Sequence, residues 1–226
     1  MRPPLQALGF DLDYTLWDHD RFLLSFFEAV AGDLGARLGC GRERVTAVLR
    51  GCLERLTPAH PGLFDAALDE LGAWDADLVV DLVARYRRHR PPAALYPGAL
   101  AALAQLRATG RPLFLVTDGH GPTQRRKVQA LGLAPWFAHM VFTGDYPPEL
   151  RKPSPFPFLA ACGRLGVDPG RCAYVGDNPR CDFQGPRSLG MLTVGVATGP
   201  FAALATPPGE QPRLRIAALA ELRGLL

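Results

Sequence analysis

The sequence of 226 residues predicts an α/β fold, a Rossmann-like parallel sheet core covered by helices on both faces, with an α-helical domain inserted near its start. Three observations carry that prediction. From about residue 92 onward, short apolar runs alternate with helix-periodic segments, as repeated β-α units do. Between about Arg21 and Arg90 the periodicity is helical and no convincing strand occurs. Ahead of that stretch, the isolated apolar run Leu5–Leu12 reads as a buried strand ending in an acidic, functional loop.

The elements follow in order. Phe22, Phe26, Val30, Leu34 and Leu38 recur at intervals of four and predict one long helix. Further helices are expected at Arg42–Leu56, Pro61–Leu71 and Asp75–Arg88, separated by turns rich in Gly and Pro. The run Arg85–Arg90 reads as a solvated helix end. Beyond residue 92 come a helix at Gly98–Thr109, a strand at Pro112–Thr117 and a helix at Pro122–Leu131 with Pro in its first turn. The series continues with strand His139–Thr143, helix Pro155–Leu165, strand Cys172–Gly176, helix Asp182–Leu189 and strand Met191–Val196. A short strand, Leu214–Ile216, and a helix, Ala217–Leu225, close the chain.

Composition excludes several classes. With 48% hydrophobic and 21% charged residues, the chain is globular rather than disordered. A formal net charge of +3 with dispersed basic residues argues against a nucleic-acid partner. No apolar run approaches the roughly 20 residues that cross a bilayer, so no membrane partner is expected. The N-terminus has neither an apolar core nor a cleavage site of the signal-peptide kind. Cys40, Cys52, Cys162, Cys172 and Cys181 are scattered and odd in number, which predicts free, mostly buried thiols and a cytoplasmic location.

Three strands run into acidic residues at their C-terminal ends, where open parallel sheets bind ligands. They give Asp11-Leu12-Asp13, Thr117-Asp118-Gly119 and Gly176-Asp177-Asn178, with Asp182 further on. Strand alternation points Asp11 and Asp13 the same way, and two such carboxylates need a cation or a proton between them. Asp177 adds a third acid. Converging carboxylates without Cys or His ligands suit a hard cation, and Mg2+ is the natural choice. Thr117, at a strand end before a helix, and Lys152, in a loop before another, are donors suited to a phosphate dianion. Lysine is scarce, with Lys127 and Lys152 the only two in an Arg-rich chain. A compact point charge is a reason to keep Lys where Arg is otherwise preferred.

Taken in order, these residues resemble the haloacid dehalogenase superfamily of phosphatases. Asp11-Leu12-Asp13-Tyr14-Thr15 matches its first motif, Thr117 its second, Lys152-Pro153 its third, and Gly176-Asp177 with Asp182 its fourth. Gln124–Lys127 and Tyr96-Pro97-Gly98 are secondary echoes. The resemblance implies a Mg2+-dependent phosphohydrolase acting on a small phosphorylated molecule. Asp11 is then the nucleophile that becomes an aspartyl-phosphate, and Asp13 the general acid and base. Asp11, the Asp13 carbonyl and Asp177 are the implied metal ligands, with Asp182 behind them orienting Lys152 or a bound water. Thr117, Lys152 and the amides of Leu12 and Asp118 are the implied phosphate donors. Residues 1–17 and 92–226 become the catalytic core and 18–91 a helical cap of the C1 type that selects substrate. The chain departs from its relatives in having Asp118 and Arg151 where Asn and Gly are common, and neither change removes a catalytic group.

Alternatives remain open on the sequence. A phosphomutase shares every core motif, while a haloacid dehalogenase requires neither Asp13 nor a metal. A non-catalytic binding module on the same fold normally lacks the nucleophile or the acid, and both stand here. Gly119-His120-Gly121 imitates a dinucleotide loop, but Gln124 occupies the place of its third glycine. Trp17, Arg50, Arg55 and His60 are candidates to face a leaving group, each with a plain structural reading beside it. A monomer and a homodimer are equally compatible with the sequence.

Overall fold

A computed structural model describes residues 4–56, 60–90, 95–202 and 204–225. The chain divides into two compact units, Met1–Asp18 with Ala93–Leu226, and His19–Pro92.

The first unit is built on strand β1, Ala7–Phe10. After the helical unit come α5 (Ala99–Arg107), β2 (Leu113–Thr117), α6 (Gly121–Ala130) and β3 (His139–Phe142). The chain then forms α7 (Phe156–Leu165), β4 (Cys172–Gly176), α8 (Gln184–Ser188), β5 (Leu192–Val196) and β6 (Leu214–Ile216). Six strands make one parallel sheet in the order β3-β2-β1-β4-β5-β6. Every residue of β1, β2 and β4 is buried, so side chains are covered on both faces, as all-parallel sheets require. One face packs Ala7, Phe114, Val116 and Tyr174 against Phe158 and Cys162 of α7. The Tyr174 hydroxyl, buried there, donates to the Val116 carbonyl at 2.8 Å.

Strand order reverses direction between β1 and β4, where the chain leads one way to β2 and the other way to β5. Such a switch point opens a crevice beyond the carboxyl ends of the two strands. Their register, Phe10 opposite Val175, brings the residues that follow each strand to the same rim.

The second unit consists of α1 (His19–Leu38), α2 (Arg42–Arg55), α3 (Leu63–Glu70) and α4 (Ala76–Arg88). Phe22, Phe26, Val30 and Leu34 are buried along one stripe of α1. Phe26 meets Phe64 of α3 and Tyr86 of α4 at ring distances of 5.7 and 5.6 Å, which fastens three helices together. Asp75 begins α4 by accepting from the Leu78 amide at 2.9 Å, and Arg85, Arg87 and Arg88 lie in its last turn, where the helix dipole favours cations. None of the described helices is long and apolar enough to cross a membrane. All five cysteines are free thiols, with Cys52, Cys162 and Cys172 buried and Cys40 and Cys181 half-buried.

Candidate active site

β1 ends at Phe10, and Asp11 begins a tight turn. The Asp11 amide still donates to the Val175 carbonyl at 2.9 Å, which fixes its Cα beside β4. From there the backbone coils: the Leu16 amide returns to the Leu12 carbonyl at 3.0 Å, and the Tyr14 amide to the Trp17 carbonyl at 3.0 Å. Tyr14 sits at φ 60°, a sparsely populated conformation for a residue with a Cβ. The Thr198 hydroxyl donates to its carbonyl and holds it there.

The carboxylates gathered within 4.8 Å of one another are those of Asp11, Asp177 and Asp182. Lys152 lies among them, its Nζ 2.7 Å from Asp11 Oδ1 and 2.7 Å from Asp182 Oδ1. A cis peptide links it to Pro153. Both Asp182 oxygens are engaged: Oδ2 accepts the amides of Asp177 (3.1 Å) and Asn178 (2.9 Å). A Cβ on Gly176 would lie 2.5 Å from Asp182 Oδ2, so only glycine admits that carboxylate. The Thr15 hydroxyl lies between Asp11 Oδ2 (3.2 Å) and Asp177 Oδ1 (3.3 Å).

Charge in this cluster does not balance. Three carboxylates face one ammonium, and all four groups are buried. Burial, opposed by Lys152 and helped by Asp182, pushes the Asp11 carboxyl up to about 7. Burial, Asp182 and Asp11 push Asp177 well above the carboxylate range. Burial alone would lower the Lys152 ammonium, but Asp11 and Asp182 overcome it and hold it above its ordinary value. Asp177 Oδ2 is buried and has no hydrogen-bond partner among the described residues. A buried carboxylate oxygen without a donor is costly unless a cation meets it. An all-oxygen set with a surplus of negative charge and one orphaned oxygen therefore fits a hard divalent ion. Gly199 closes on the same atom, for a Cβ there would stand 2.6 Å from Asp177 Oδ2 and 2.5 Å from Tyr14 Cβ.

Asp13 has a different setting. Trp17 Nε1 donates to its Oδ1 at 2.7 Å, and Lys127 Nζ reaches both oxygens at 3.0 and 2.8 Å. Gln124 Nε2 donates to its Oδ2 at 2.9 Å and to Thr117 Oγ1 at 2.7 Å. The Asp118 carboxylate turns aside to accept from the Thr143 hydroxyl. Leu12 is buried between the two motif acids. Of the candidates to face a leaving group, Trp17 is fully buried as a partner of Asp13. Arg50 pairs with Glu28, Arg55 with Glu70, and His60 caps the Gly62 amide.

The sequence reading did not single out Gln124 and Lys127 as site residues, nor Gly199. Lysine scarcity was a signal that applied to Lys127 as much as to Lys152. Gly199 carries no local signal, because its constraint comes from the close approach of Tyr14 and Asp177.

The haloacid dehalogenase-like hydrolase family matches residues 5–190. The chain belongs to this family. Its curated relatives include a phosphoserine phosphatase of Thermus thermophilus, 34% identical over 73% of this chain and 64% of that enzyme. The match thus spans less than two thirds of the Thermus protein. A glyceraldehyde 3-phosphate phosphatase of Methanopyrus kandleri is 31% identical over 87% of this chain and 86% of its own. Among solved structures, the magnesium-bound HAD-hydrolase YfnB of Bacillus subtilis shares the fold with a TM-score of 0.76 at 20% identity, covering 99% of both chains. A HAD phosphatase of Thermococcus onnurineus superposes with a TM-score of 0.64 at 25% identity, over 98% of this chain and 97% of that one. Family and relatives place the protein among the phosphoric monoester hydrolases of the haloacid dehalogenase superfamily.

Proposed function

We propose that this hydrolase removes phosphate from a small phosphorylated metabolite through an aspartyl-phosphate on Asp11, with Mg2+ as cofactor. The observation that carries the proposal is the charge imbalance at the switch point: Asp11, Asp177 and Asp182 face Lys152, and Asp177 Oδ2 has no hydrogen-bond partner among the described residues. Asp11, Asp177 and the Asp13 carbonyl would hold the ion, while Asp182, whose oxygens are occupied, fixes Lys152 and the loop after β4. When bound, the ion supplies the positive charge that lets an anionic carboxylate approach an anionic phosphate.

The remaining steps belong to the protein. Lys152, the Thr117 hydroxyl and the amides of Leu12 and Asp118 bind the phosphate oxygens and orient phosphorus towards Asp11. Asp11 attacks, and the bond from phosphorus to the leaving oxygen breaks. Asp13 gives that oxygen its proton, then takes one from the water that hydrolyses the acyl phosphate and restores Asp11. The unit His19–Pro92 serves as the cap that selects the leaving group. Dehalogenation needs no acid at position 13 and no metal, so the retention of Asp13 and Asp177 favours the phosphatase.

The test is hydrolysis of p-nitrophenyl phosphate with and without Mg2+, followed by a panel of about a hundred phosphorylated metabolites read by released phosphate. Turnover that needs Mg2+, and that falls at least about a thousandfold in Asp11→Asn with the fold retained, is the expected result. A protein inert towards every phosphomonoester, or an Asp11→Asn variant near full activity, refutes the assignment.

A further inference from the structure

Gln124 and Lys127 stand three residues apart on α6, so they share one face of the helix. Each is only 2% exposed, uncommon for either residue type. Both reach Asp13. The two ends of the Gln124 amide are told apart by chemistry. Before it takes up the proton that it passes to the leaving group, Asp13 is paired to Lys127 as a carboxylate with acceptors only, so the atom facing it is the Gln124 nitrogen. That same nitrogen lies 2.7 Å from Thr117 Oγ1. Thr117 therefore accepts on this side, and its hydroxyl hydrogen must point elsewhere. Inside the chain that hydrogen has a long contact of 3.4 Å to the Asp118 carbonyl. A phosphate oxygen in front of the strand end is a far stronger acceptor.

Lys127 does the corresponding work for the carboxylate. Its Nζ bridges both Asp13 oxygens, and Trp17 Nε1 holds one of them from another side. Three donors in fixed directions leave the carboxylate little rotational freedom. The Lys127 ammonium also lies 5.6 Å from the Trp17 ring centroid, which braces the pair.

We infer that Gln124 and Lys127 are positioning residues: Gln124 aims the Thr117 hydroxyl at the substrate phosphate, and Lys127 fixes the orientation of the Asp13 carboxylate. The inference rests on the phosphatase reading above. It divides the labour on α6, with Gln124 acting on phosphate binding through Thr117, and Lys127 acting on the leaving group through Asp13.

The experiment uses the full chain with Mg2+, p-nitrophenyl phosphate as substrate and inorganic phosphate as competitive inhibitor. Gln124→Met should weaken phosphate inhibition roughly tenfold, the scale of one hydrogen bond to a charged group. The same substitution in a Thr117→Val background should weaken it no further, because its effect passes through the hydroxyl. Lys127→Met should lower kcat about tenfold or more while phosphate inhibition stays within about twofold. Circular dichroism and thermal melting check each fold. Where the methionine at either position prevents folding, Gln124→Leu and Lys127→Gln take its place with the same expectations, since the first also removes the donor without adding charge. Unchanged phosphate inhibition in the Gln124 variant, or an added loss in the Thr117→Val background, overturns the first half. A Lys127 variant with unchanged kcat, or with phosphate inhibition weakened as much as kcat, overturns the second. Both outcomes leave the phosphatase reading standing, which fails separately if the wild-type protein is inert or Asp11→Asn is active.

Discussion

In the α/β unit the Lys152 ammonium touches Asp11 and Asp182, and the three side chains are 2%, 8% and 1% exposed. In the helical unit Arg85 pairs with Asp33 and Asp81, but those side chains are 34%, 52% and 35% exposed. Arg37–Asp81 and Arg55–Glu70 in the same unit are exposed to a similar degree. The helical unit is held by its aromatic cluster of Phe22, Phe26, Phe64 and Tyr86, and its charges decorate the outside. The α/β unit instead buries charge in a surplus of one sign, an arrangement that opposes folding when nothing compensates it. On the proposed function the buried network serves chemistry at the expense of stability while the exposed one lies on a surface that packing already holds, so removing charge should have opposite consequences in the two places.

Removing the buried cation gives the largest effect. Lys152→Met deletes the group that faces Asp11 and leaves three carboxylates together. Turnover should fall about 10²–10³-fold, as when one donor to a developing negative charge is lost. Steady-state kcat with Mg2+ saturating is the measurement, and a fall below about tenfold would mean that Lys152 is only a structural counterion.

Removing a buried anion sharpens the comparison by its sign. Asp177 is repelled by Asp11 and Asp182, so Asp177→Asn should stabilise the metal-free protein. Relief of about 1 kcal/mol raises the melting temperature by about 2–4 °C in a chain of this size. The same variant should lose the stabilisation that Mg2+ gives the wild type. Melting curves in chelator and in Mg2+ test both statements. A variant that still gains as much from Mg2+ as the wild type places the ion away from Asp177.

What the sequence reveals follows the same division. Asp11 and Asp177 stand at strand ends and Asp182 in the loop after the second, each within a short motif, so all three are readable one loop at a time. Strand bounds are readable where the apolar run stops at a turn, and Cys172–Gly176 and Leu214–Ile216 coincide with the observed β4 and β6. Errors arise where a side chain leaves its local role for a distant one. The helix expected from Asp182 begins only at Gln184, because the Asp182 carboxylate turns back to the amides of Asp177 and Asn178. The last helix, expected over Ala217–Leu225, starts as a single tighter turn at Leu219, where the Glu221 carboxylate folds back onto the amides of Ala217 and Ala218. Lys127 and Gln124 lie in a polar helix segment whose pattern reads as surface, and only the tertiary fold buries them.

Among the titrating groups that packing perturbs in the helical unit is His89. His89 ends α4, lies 2.8 Å from the Ser25 hydroxyl and packs against Phe22 and Phe26. Burial lowers its pKa below the ordinary value of 6.5. The sign follows from proton uptake. Below pH 6.5 the unfolded chain binds a proton that the folded histidine refuses, so stability falls as pH drops through 6.5 towards the lower folded value. In His89→Gln that contribution is absent. Denaturant midpoints measured between pH about 7 and about 5 should therefore decline less in the variant than in the wild type. Equal declines would mean that His89 takes its proton in the folded state as readily as in the unfolded one.

The smallest effect belongs to the exposed pairs. Arg85 is the centre of the helical unit's charge network, its guanidinium 2.6 Å from Asp33 and 3.0 Å from Asp81. The Asp33 hydrogen bond, opposed slightly by burial and helped by Asp81, raises the arginine's pKa. Exposure sets the worth of such contacts, because water and salt screen the attraction and both long side chains lose freedom in making it. Arg85→Ala should lower stability by only about 0.5 kcal/mol, and 1 M salt should erase most of the difference. Urea melts of the two proteins at low and high salt measure both quantities. A loss of several kcal/mol that persists in salt would mean that Arg85 supports the aromatic cluster through its packing. The arginine would then be part of the unit's packing, not a decoration of its surface.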